Sequence, residues 1–381
     1  MSIQLNVDSL LADARQQAGV ANFGDDWFVE ALERQVAAVN SQAGLSEAGT
    51  ASAAAHLTGI LVNRLRAARD FKAHPEILEL PIERPLIILG LQRTGTTKLQ
   101  RMLARDERLQ HLALWQAMNF APFPGPAERD TRIEAALHAE QHMRANAPEF
   151  FATHSMEAVQ AEEETMLVAA SFMGTSAESR FHIPDFGAWV EHADHARAYE
   201  EMADYLRYLQ WQSGTPGKPW LLKTPLHILY LDALLHALPD ARIVHLHRDP
   251  VKTIPSLCRL LFYLQRISTD SVDAQALGPY WLGRMARGTA RYLTIRAQFP
   301  AEQFLDLRYE DVVADGVESA RAALAHAGLT LTPAAQQAMS DWERGNQQHA
   351  HGSYSYTAEE YGLTEAEIRA AFSSYIERFD L

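Results

Sequence analysis

Two patterns of apolar and polar positions follow each other along most of the chain. Short apolar runs predict buried strands at "LIILGL" (86–91), "WLLK" (220–223), "ARIVHLHR" (241–248) and "FLDLRY" (304–309). The stretches after them, such as "LHILYLDALLHALP" and "VESARAALAHAGL", have apolar residues at helical spacing. Strands that alternate with helices predict an α/β fold whose parallel sheet is flanked by helices.

Helical patterns also dominate two longer regions. Residues 8–75 predict two or three helices, so we divide the chain into an N-terminal helical segment, 1–80, and a main domain, 81–381. Within that domain, 110–215 is a long helical insertion, which we expect to shape a substrate site. Most of its large apolar residues should pack in the core, and some should line an apolar cleft. They are Trp115, Met118, Phe120, Phe123, Phe150, Phe151, Phe172, Met173, Phe181, Phe186 and Trp189.

The first predicted strand runs into a glycine-containing turn, "IILGLQRTGTTKLQ" (87–100). Gly90 and Gly95 have the spacing of the phosphate-binding P-loop, G-x-x-x-x-G-K-[ST], with Thr97 at the Ser/Thr position. Thr96 stands at the lysine position, which argues against a magnesium-bound triphosphate. Backbone N–H groups before a helix still suit a phosphate or sulfate, and Arg93 supplies a cation. The sequence therefore predicts a P-loop-like sheet with an anion site that differs from a triphosphate site.

A second candidate anion site follows the third predicted strand, in "ARIVHLHRDPVKTIPSLCRLL". Arg248 ends that strand, and Ser256 lies eight residues later in the next helix. Because parallel strands end at the same edge of a sheet, Arg248 can face the loop at 93–97. An arginine and a hydroxyl would clamp a phosphate there. The alternative is that Arg248 pairs with Asp249 or caps an element, and that Ser256 is exposed to solvent.

Together, "QRTGTTKLQ" and "RDPVKTIPS" resemble the sulfotransferase family that uses 3′-phosphoadenosine-5′-phosphosulfate (PAPS), and most closely its bacterial members. The resemblance runs from about residue 84 to the end and includes "WLLKTPLH" and "LRYEDVVAD". It implies that the first segment binds the 5′-phosphosulfate, that the second binds the 3′-phosphate, that PAP is the product, and that no metal ion is needed. The implied cofactor-binding residues are Arg93, Thr94, Gly95, Thr96, Thr97, Lys98, Arg248 and Ser256.

Two cations are candidates for stabilising the transferred group. Arg93 stands where many members of the family have a loop lysine, and it keeps the charge while changing the geometry. Lys223, at the end of the "WLLK" strand, points toward the same edge. A solvated lysine after a strand is the alternative for Lys223.

The acceptor needs a base, which in this family is a histidine or a glutamate. "HSMEAVQAEEETML" has three consecutive glutamates before an apolar helical pattern, and on a helix only one of them can face a cleft. We prefer Glu163, then Glu162, with His154 as a third candidate. The alternative is that this acidic run only stabilises a helix N-terminus.

Charge and composition exclude several classes. The chain has 34 Lys and Arg against 48 Asp and Glu, a net charge of -14, which argues against nonspecific binding to nucleic acid. Cys258 is the only cysteine, and the histidines lack the spacing of a helical zinc pair, so we predict no metal site. No apolar stretch reaches the roughly 18 residues of a membrane helix, and no signal peptide is evident, so we expect a cytoplasmic protein.

We expect the acceptor to be an apolar or aromatic alcohol, phenol, sterol or lipid, because the insertion is aromatic and acidic rather than basic. Two other functions remain open. One is a nucleotide kinase or hydrolase with a degenerate P-loop, and the other is a non-catalytic nucleotide-binding protein on the same fold.

Overall fold

The computed structural model describes residues 4–125, 130–154, 156–215, 217–346 and 357–381. A single parallel sheet lies at its centre, which confirms the predicted α/β class. The strands are β1 (Leu86–Gly90), β2 (Gln110–His111), β3 (Trp220–Lys223), β4 (Arg242–His247) and β5 (Phe304–Arg308). Their order across the sheet is β2-β3-β1-β4-β5. All four predicted strands are confirmed, whereas the two-residue β2 was not predicted.

The three central strands are apolar runs because helices cover both faces of the sheet. Every residue of β1 and β3 is buried, as expected for parallel strands. In the register of the sheet, Ile88 lies opposite Lys223 and Gly90 lies opposite Leu246. The carboxyl ends of β1, β3 and β4 therefore meet at one edge, where the predicted site residues follow each strand.

Nineteen α-helices occur in the described residues, and none is long and apolar enough to cross a membrane. They are α1 (Val7–Ala18), α2 (Val29–Gln42), α3 (Glu47–Ala73), α4 (Thr96–Leu103), α5 (Leu114–Met118), α6 (Arg132–Asn146), α7 (Pro148–Thr153), α8 (Thr165–Ala169), α9 (Ser176–Arg180), α10 (Pro184–His192), α11 (Ala196–Ser213), α12 (Leu231–Ala237), α13 (Pro250–Arg266), α14 (Ala274–Arg296), α15 (Tyr309–Ala314), α16 (Gly316–His326), α17 (Pro333–Gly345), α18 (Glu365–Ala371) and α19 (Ser373–Phe379). Short 3-10 helices lie at Pro75–Glu79, Pro225–Leu229, Ala301–Gln303 and Glu359–Tyr361.

The N-terminal region forms three helices, at the upper end of the predicted number. Side-chain oxygens of Asn6 and Ser46 cap α1 and α3 by accepting from backbone N–H groups in the first turn. Their apolar faces, with Leu57 fully buried, share a core with Phe172 and Phe181 around α9. The N-terminal helices thus pack against the insertion, and a boundary at residue 80 stays a prediction.

Helices α5 to α11 make up most of the insertion between β2 and β3. Its aromatic residues are mostly buried, and Phe120 packs against Tyr205 with ring centroids 4.2 Å apart. Core packing therefore accounts for most of them, as expected. Helix α7 is different in position, because it borders the strand edge where the candidate site lies.

Candidate functional site

The loop between β1 and α4 has a backbone that requires glycine at both ends. Gly90 has φ +151°, and a Cβ there would lie 2.4 Å from the carbonyl oxygen of Leu246 on the neighbouring strand. Gly95 has φ +83° and forms the N-cap of α4. A Cβ at Gly95 would lie 3.1 Å from the ring of Tyr309. The glycine spacing seen in the sequence therefore reflects two close approaches of the backbone.

Helix α4 begins at Thr96, as the loop pattern predicted. The N–H groups of its first turn have no intrahelical acceptor, so Thr96 and Thr97 present backbone donors and the positive end of the helix dipole. Thr94 is placed differently, because its Oγ1 donates to the Leu91 carbonyl at 2.7 Å inside the loop. Its side chain stabilises the turn, which leaves only its backbone for a ligand.

Arg93 brings the two predicted anion sites together. Its Nε donates to Ser256 Oγ at 3.2 Å, and its Nη1 donates to the Thr153 carbonyl at 3.0 Å. Its own carbonyl accepts from Arg248 Nη1 at 2.8 Å. The predicted approach of Arg248 and Ser256 to the loop is therefore confirmed. Arg93 itself has a left-handed backbone, with φ +72°, which is uncommon for a residue other than glycine.

The structural alternatives for Arg248 and Ser256 are wrong. Asp249 caps α13 by accepting from the Val251 N–H and pairs with Arg369 at 3.1 Å. Arg248 instead lies over the ring of Tyr309, 3.9 Å from its centroid. Ser256 is buried, with 3% of its surface exposed.

A cavity of about 500 Å³ opens beside the loop. Lys98 lies on its wall, where its Nζ donates to the Val312 carbonyl at 2.9 Å and pairs with Glu343 at 2.7 Å. The cavity has the size of a nucleotide site, and its charged lining residues are basic except for Glu343. It is lined by Arg93, Gly95, Thr96, Thr97, Lys98, Arg248, Tyr309, Val312, Val313, Trp342, Glu343, Arg344 and Asn346.

On the other side of Thr97 lies a buried ion pair. Lys223 Nζ donates to Glu163 Oε1 at 2.6 Å and to Thr97 Oγ1 at 3.3 Å. The Lys223 side chain is fully buried, whereas 17% of the Glu163 side chain is exposed. The alternative of a solvated lysine is therefore wrong. The structure joins the preferred base, the second cation and the P-loop-like turn in one chain of contacts.

Of the three glutamates, Glu162 and Glu163 precede α8 outside any helix, and Glu164 forms the N-cap of α8, with φ -75° and ψ 4°. Ala161 forms an antiparallel bridge with Ala113, and the Glu162 N–H donates to the Leu112 carbonyl. Glu163 is the glutamate whose carboxylate accepts from the Lys223 ammonium, whereas Glu164 accepts from the Lys223 backbone N–H. Glu162 Oε1 accepts from the Glu163 N–H at 2.9 Å.

His154 lies directly after α7, beside the same cluster. Burial lowers its pKa, and the nearby carboxylates of Glu162 and Glu163 act in the opposite direction. The net effect keeps the imidazole neutral near pH 7, which is the form that accepts a proton. His154 therefore stays a candidate base next to Glu163.

The "HLH" pair of β4 belongs to a buried network behind Arg248. His245, His247 and Asp306 bring potential metal-ligating atoms within 4.8 Å of one another. However, both His247 nitrogens already have partners, in Tyr375 and Asp306 at 2.8 Å each. Burial acts to raise the pKa of Asp306, but hydrogen bonds from His247 and Arg296 hold it well below its usual range. This network fixes the strand end from which Arg248 extends.

Sequence reasoning missed both aromatic residues of the cavity lining. Tyr309 directly follows β5, so the rule that placed Arg248 and Lys223 at strand ends could also have found it. Trp342 lies on α17, far from any motif, and no local signal marks it.

Known proteins resemble this chain in sequence and in fold. A family model described as "Sulfotransferase family" matches residues 85–333. The crystal structure of the sulfotransferase STF1 from Mycobacterium tuberculosis H37Rv is 30% identical, with a TM-score of 0.86 over 98% of this chain and 100% of that one. STF9 from Mycobacterium avium is 29% identical, with a TM-score of 0.88 over 98% and 96% of the two chains.

A curated relative is more distant. The omega-hydroxy-beta-dihydromenaquinone-9 sulfotransferase Stf3 of Mycobacterium bovis is 26% identical over 171 residues. The match spans 42% of this chain and 41% of the length of the relative.

Proposed function

The chain belongs to the sulfotransferase family, and we propose that it moves a sulfuryl group from PAPS to a hydroxyl group of an apolar acceptor. The main support is the position of Arg93. Its side chain contacts Ser256 while its carbonyl binds Arg248, so the P-loop-like turn and the second anion clamp form one site.

The cavity residues, together with Ser256, which lies against Arg93 outside the lining, fit a nucleotide with phosphate groups at two places. The N–H groups of the first turn of α4, with Arg93, would hold the 5′-phosphosulfate. Arg248 and Ser256 would hold the 3′-phosphate through a guanidinium and a hydroxyl. Tyr309 keeps Arg248 in place by stacking below it. Such a set of donors distinguishes PAPS from a nucleotide that lacks the 3′-phosphate.

PAPS would supply an activated sulfuryl group whose leaving oxygen belongs to a phosphate. Glu163 would accept the proton of the acceptor hydroxyl as the new S–O bond forms and the bond to that phosphate oxygen breaks, which leaves PAP. Lys223, held 3.3 Å from Thr97, and Arg93 would stabilise the negative charge on the transferred group and the leaving oxygen. This assignment uses preorganised cations and needs no metal ion for charge neutralisation.

The acceptor side favours an apolar molecule. Phe150 lies on α7 with its ring centroid 6.1 Å from that of His154, beside the candidate bases. Stf3 is named for a hydroxylated menaquinone, which is an apolar lipid with an alcohol group. Acidic residues on the same side, Glu162 and Glu163, would repel an anionic polysaccharide.

The two other functions considered are less well supported. A kinase-like site would need a lysine in the turn, and Thr96 takes that position. A non-catalytic protein would not need the ion pair of Lys223 and Glu163. The Glu163 side chain is partly exposed, which suits proton transfer.

Sulfuryl transfer can be measured directly with sulfur-35-labelled PAPS and a panel of acceptors. We expect label to appear on apolar alcohols or phenols, such as dodecanol and 2-naphthol, without added metal ion and in the presence of a chelator. Transfer only to anionic glycans would contradict the acceptor class. A requirement for magnesium, or transfer of a phosphoryl group from ATP in place of sulfuryl transfer from PAPS, would contradict the proposed donor.

A further inference from the structure

Glu164 follows the candidate base directly and forms the N-cap of α8. Its side chain is fully buried, and its two carboxylate oxygens bind two residues at the end of β3 and just after it. Oε2 accepts from the backbone N–H of Lys223 at 2.9 Å. Oε1 lies 2.6 Å from Nε2 of His227, on the 3-10 helix Pro225–Leu229 that follows β3.

Adjacent glutamates therefore bind the same lysine at its two ends. Glu163 binds the ammonium of Lys223, and Glu164 binds its backbone N–H. Because both ends are bound, the lysine side chain has little freedom to move relative to Thr97. The distance from the P-loop-like turn to the candidate base then depends on Glu164.

A hydrogen-bond chain extends this anchor into the core. His227 Nδ1 lies 2.9 Å from the hydroxyl of Tyr199 on α11. Burial raises the pKa of Tyr199 well above its usual value, so the hydroxyl keeps its proton. With Tyr199 donating to Nδ1, His227 donates from Nε2 to the carboxylate of Glu164. Each polar side-chain atom in this series of hydrogen bonds from Tyr199 through His227 to Glu164 then has a partner, as a buried network requires.

We propose that Glu164 is a positioning residue that fixes Lys223 and Glu163 against the cofactor loop. It acts through the Lys223 main chain and does not touch the reacting atoms. This inference rests on the proposed function for its kinetic consequence, because misplacement of a reacting group by about 1 Å can cost roughly 100-fold in rate.

Two substitutions separate hydrogen bonding from charge. Glu164→Leu keeps a similar volume and removes both acceptors, so we expect kcat to fall by about 100-fold. PAP affinity and the KM for PAPS should stay close to the wild-type values, since the cavity is not lined by Glu164. Glu164→Gln should restore most of kcat, because its carbonyl accepts from the Lys223 N–H while its amide donates to the other tautomer of His227.

A matched control removes a buried carboxylate elsewhere. Glu178 is also fully buried, and it accepts from Tyr280 at 2.7 Å and pairs with Arg284 at 3.3 Å. Glu178→Leu should lower Tm as Glu164→Leu does and leave kcat near wild type. Parallel losses of kcat in the two variants would reduce Glu164 to a residue that supports folding.

Pulsed acetylation of Lys223, followed by mass spectrometry, tests the anchor without turnover. Lys223 should be protected in the wild type, Glu164→Gln and Glu178→Leu, and should be acetylated faster in Glu164→Leu. If Lys223 is protected from acetylation equally in Glu164→Leu and the wild type, or if that variant keeps the wild-type kcat, the positioning role is overturned. The proposed function would then still stand. A wild type that neither binds PAP nor transfers sulfate from PAPS would instead defeat the proposed function.

Discussion

Lys223 and Glu163 form a 2.6 Å ion pair at the edge where β1 and β3 end, and Thr97 of the P-loop-like turn lies 3.3 Å from the same ammonium. The Lys223 side chain is fully buried, while part of the Glu163 side chain reaches solvent. A buried cation and a partly exposed carboxylate suit different tasks. The lysine can stabilise charge at the transferred group, and the glutamate can exchange a proton with an acceptor.

The base is tested by Glu163→Gln. The amide keeps the size of the side chain and cannot accept the acceptor proton, so we expect the transfer rate to fall by about 10²- to 10⁴-fold. PAP affinity should change little. Steady-state transfer from labelled PAPS and calorimetric binding of PAP measure the two quantities.

Glu162→Gln is the matched control for that measurement. The Glu162 oxygen that accepts from the Glu163 N–H is kept as an amide carbonyl, so the transfer rate should fall much less. A large loss in Glu162→Gln or in His154→Gln, with near-normal transfer in Glu163→Gln, would move the base to that residue.

Strand ends allowed several of these residues to be predicted from the sequence. Arg248 and Lys223 follow apolar runs, and parallel strands must end at a common edge, so their approach to the loop followed from topology. The partner of Lys223 could not be found in this way. Glu163 lies 60 residues earlier, and its direction depends on an extended segment that pairs with Ala113 across the insertion.

Among the secondary-structure elements, the turn into α4 is where the backbone and the ring of Tyr309 approach closely. Gly95 takes a left-handed conformation, and the ring of Tyr309 packs against it while also stacking on Arg248. The loop, α15 and the end of β4 therefore meet at one point. A side chain at this glycine would disturb both anion clamps together.

Gly95→Ala tests that arrangement. A Cβ at φ +83° and 3.1 Å from the Tyr309 ring should lower the free energy of unfolding by about 1–3 kcal/mol and weaken PAP binding. Urea denaturation and calorimetry check the two effects.

Gly217→Ala is the control, since Gly217 has φ +87° and a Cβ added there would meet nothing within 4 Å. Its free energy of unfolding should fall only by the cost of a left-handed backbone at alanine, and PAP binding should be unchanged. Equal PAP affinity in Gly95→Ala and the wild type would mean that Tyr309 does not fix the cavity.

Element types were predicted well where periodicity was strong, and poorly where tertiary contacts decide. The four longer strands and the N-terminal helices follow from apolar spacing. Strand β2 has only two residues, both half-buried, and exists because Gln110 pairs with the start of β3. Glu162 lies outside a helix and its N–H donates to the Leu112 carbonyl, a partner that the local sequence does not reveal.

Across the whole molecule, burial of histidines links stability to pH. Burial is the main cause of a lowered pKa in seven histidines of the described chain, to about 3 for His56 and about 4 for His195. The full set is His56, His111, His154, His195, His245, His247 and His326. Each is neutral in the folded state at a pH where the unfolded chain binds a proton.

Stability should therefore fall as the pH drops below the unfolded histidine value of about 6.5. Above that value both states are neutral, and the full stability is present. Between the unfolded pKa of about 6.5 and the lower folded pKa of each histidine, unfolding takes up protons. Each such histidine then lowers the free energy of unfolding by up to about 1.4 kcal/mol per pH unit. Urea denaturation at pH 7, 6 and 5 measures the slope. A constant free energy of unfolding from pH 7 to 5 would contradict this account.

The net charge of -14 sets the binding problem for the whole molecule. An anionic cofactor approaches against the overall field, so local cations must supply the attraction. Arg93, Arg248 and the first turn of α4 gather that positive charge beside the cavity of about 500 Å³. The central claim is that this cluster recognises a nucleotide with a 3′-phosphate.

Calorimetric titration with PAP, 5′-AMP and magnesium-ATP tests that claim most directly, in the wild type, Arg248→Ala and the control Arg369→Ala. Arg369 pairs with the neighbouring Asp249 outside the cavity. We predict that PAP binds tightest, and that Arg248→Ala loses about 1.5–3 kcal/mol of PAP binding, roughly 10- to 100-fold, while Arg369→Ala binds as the wild type does. Preferential binding of magnesium-ATP, or equal binding of PAP and 5′-AMP, would contradict the account.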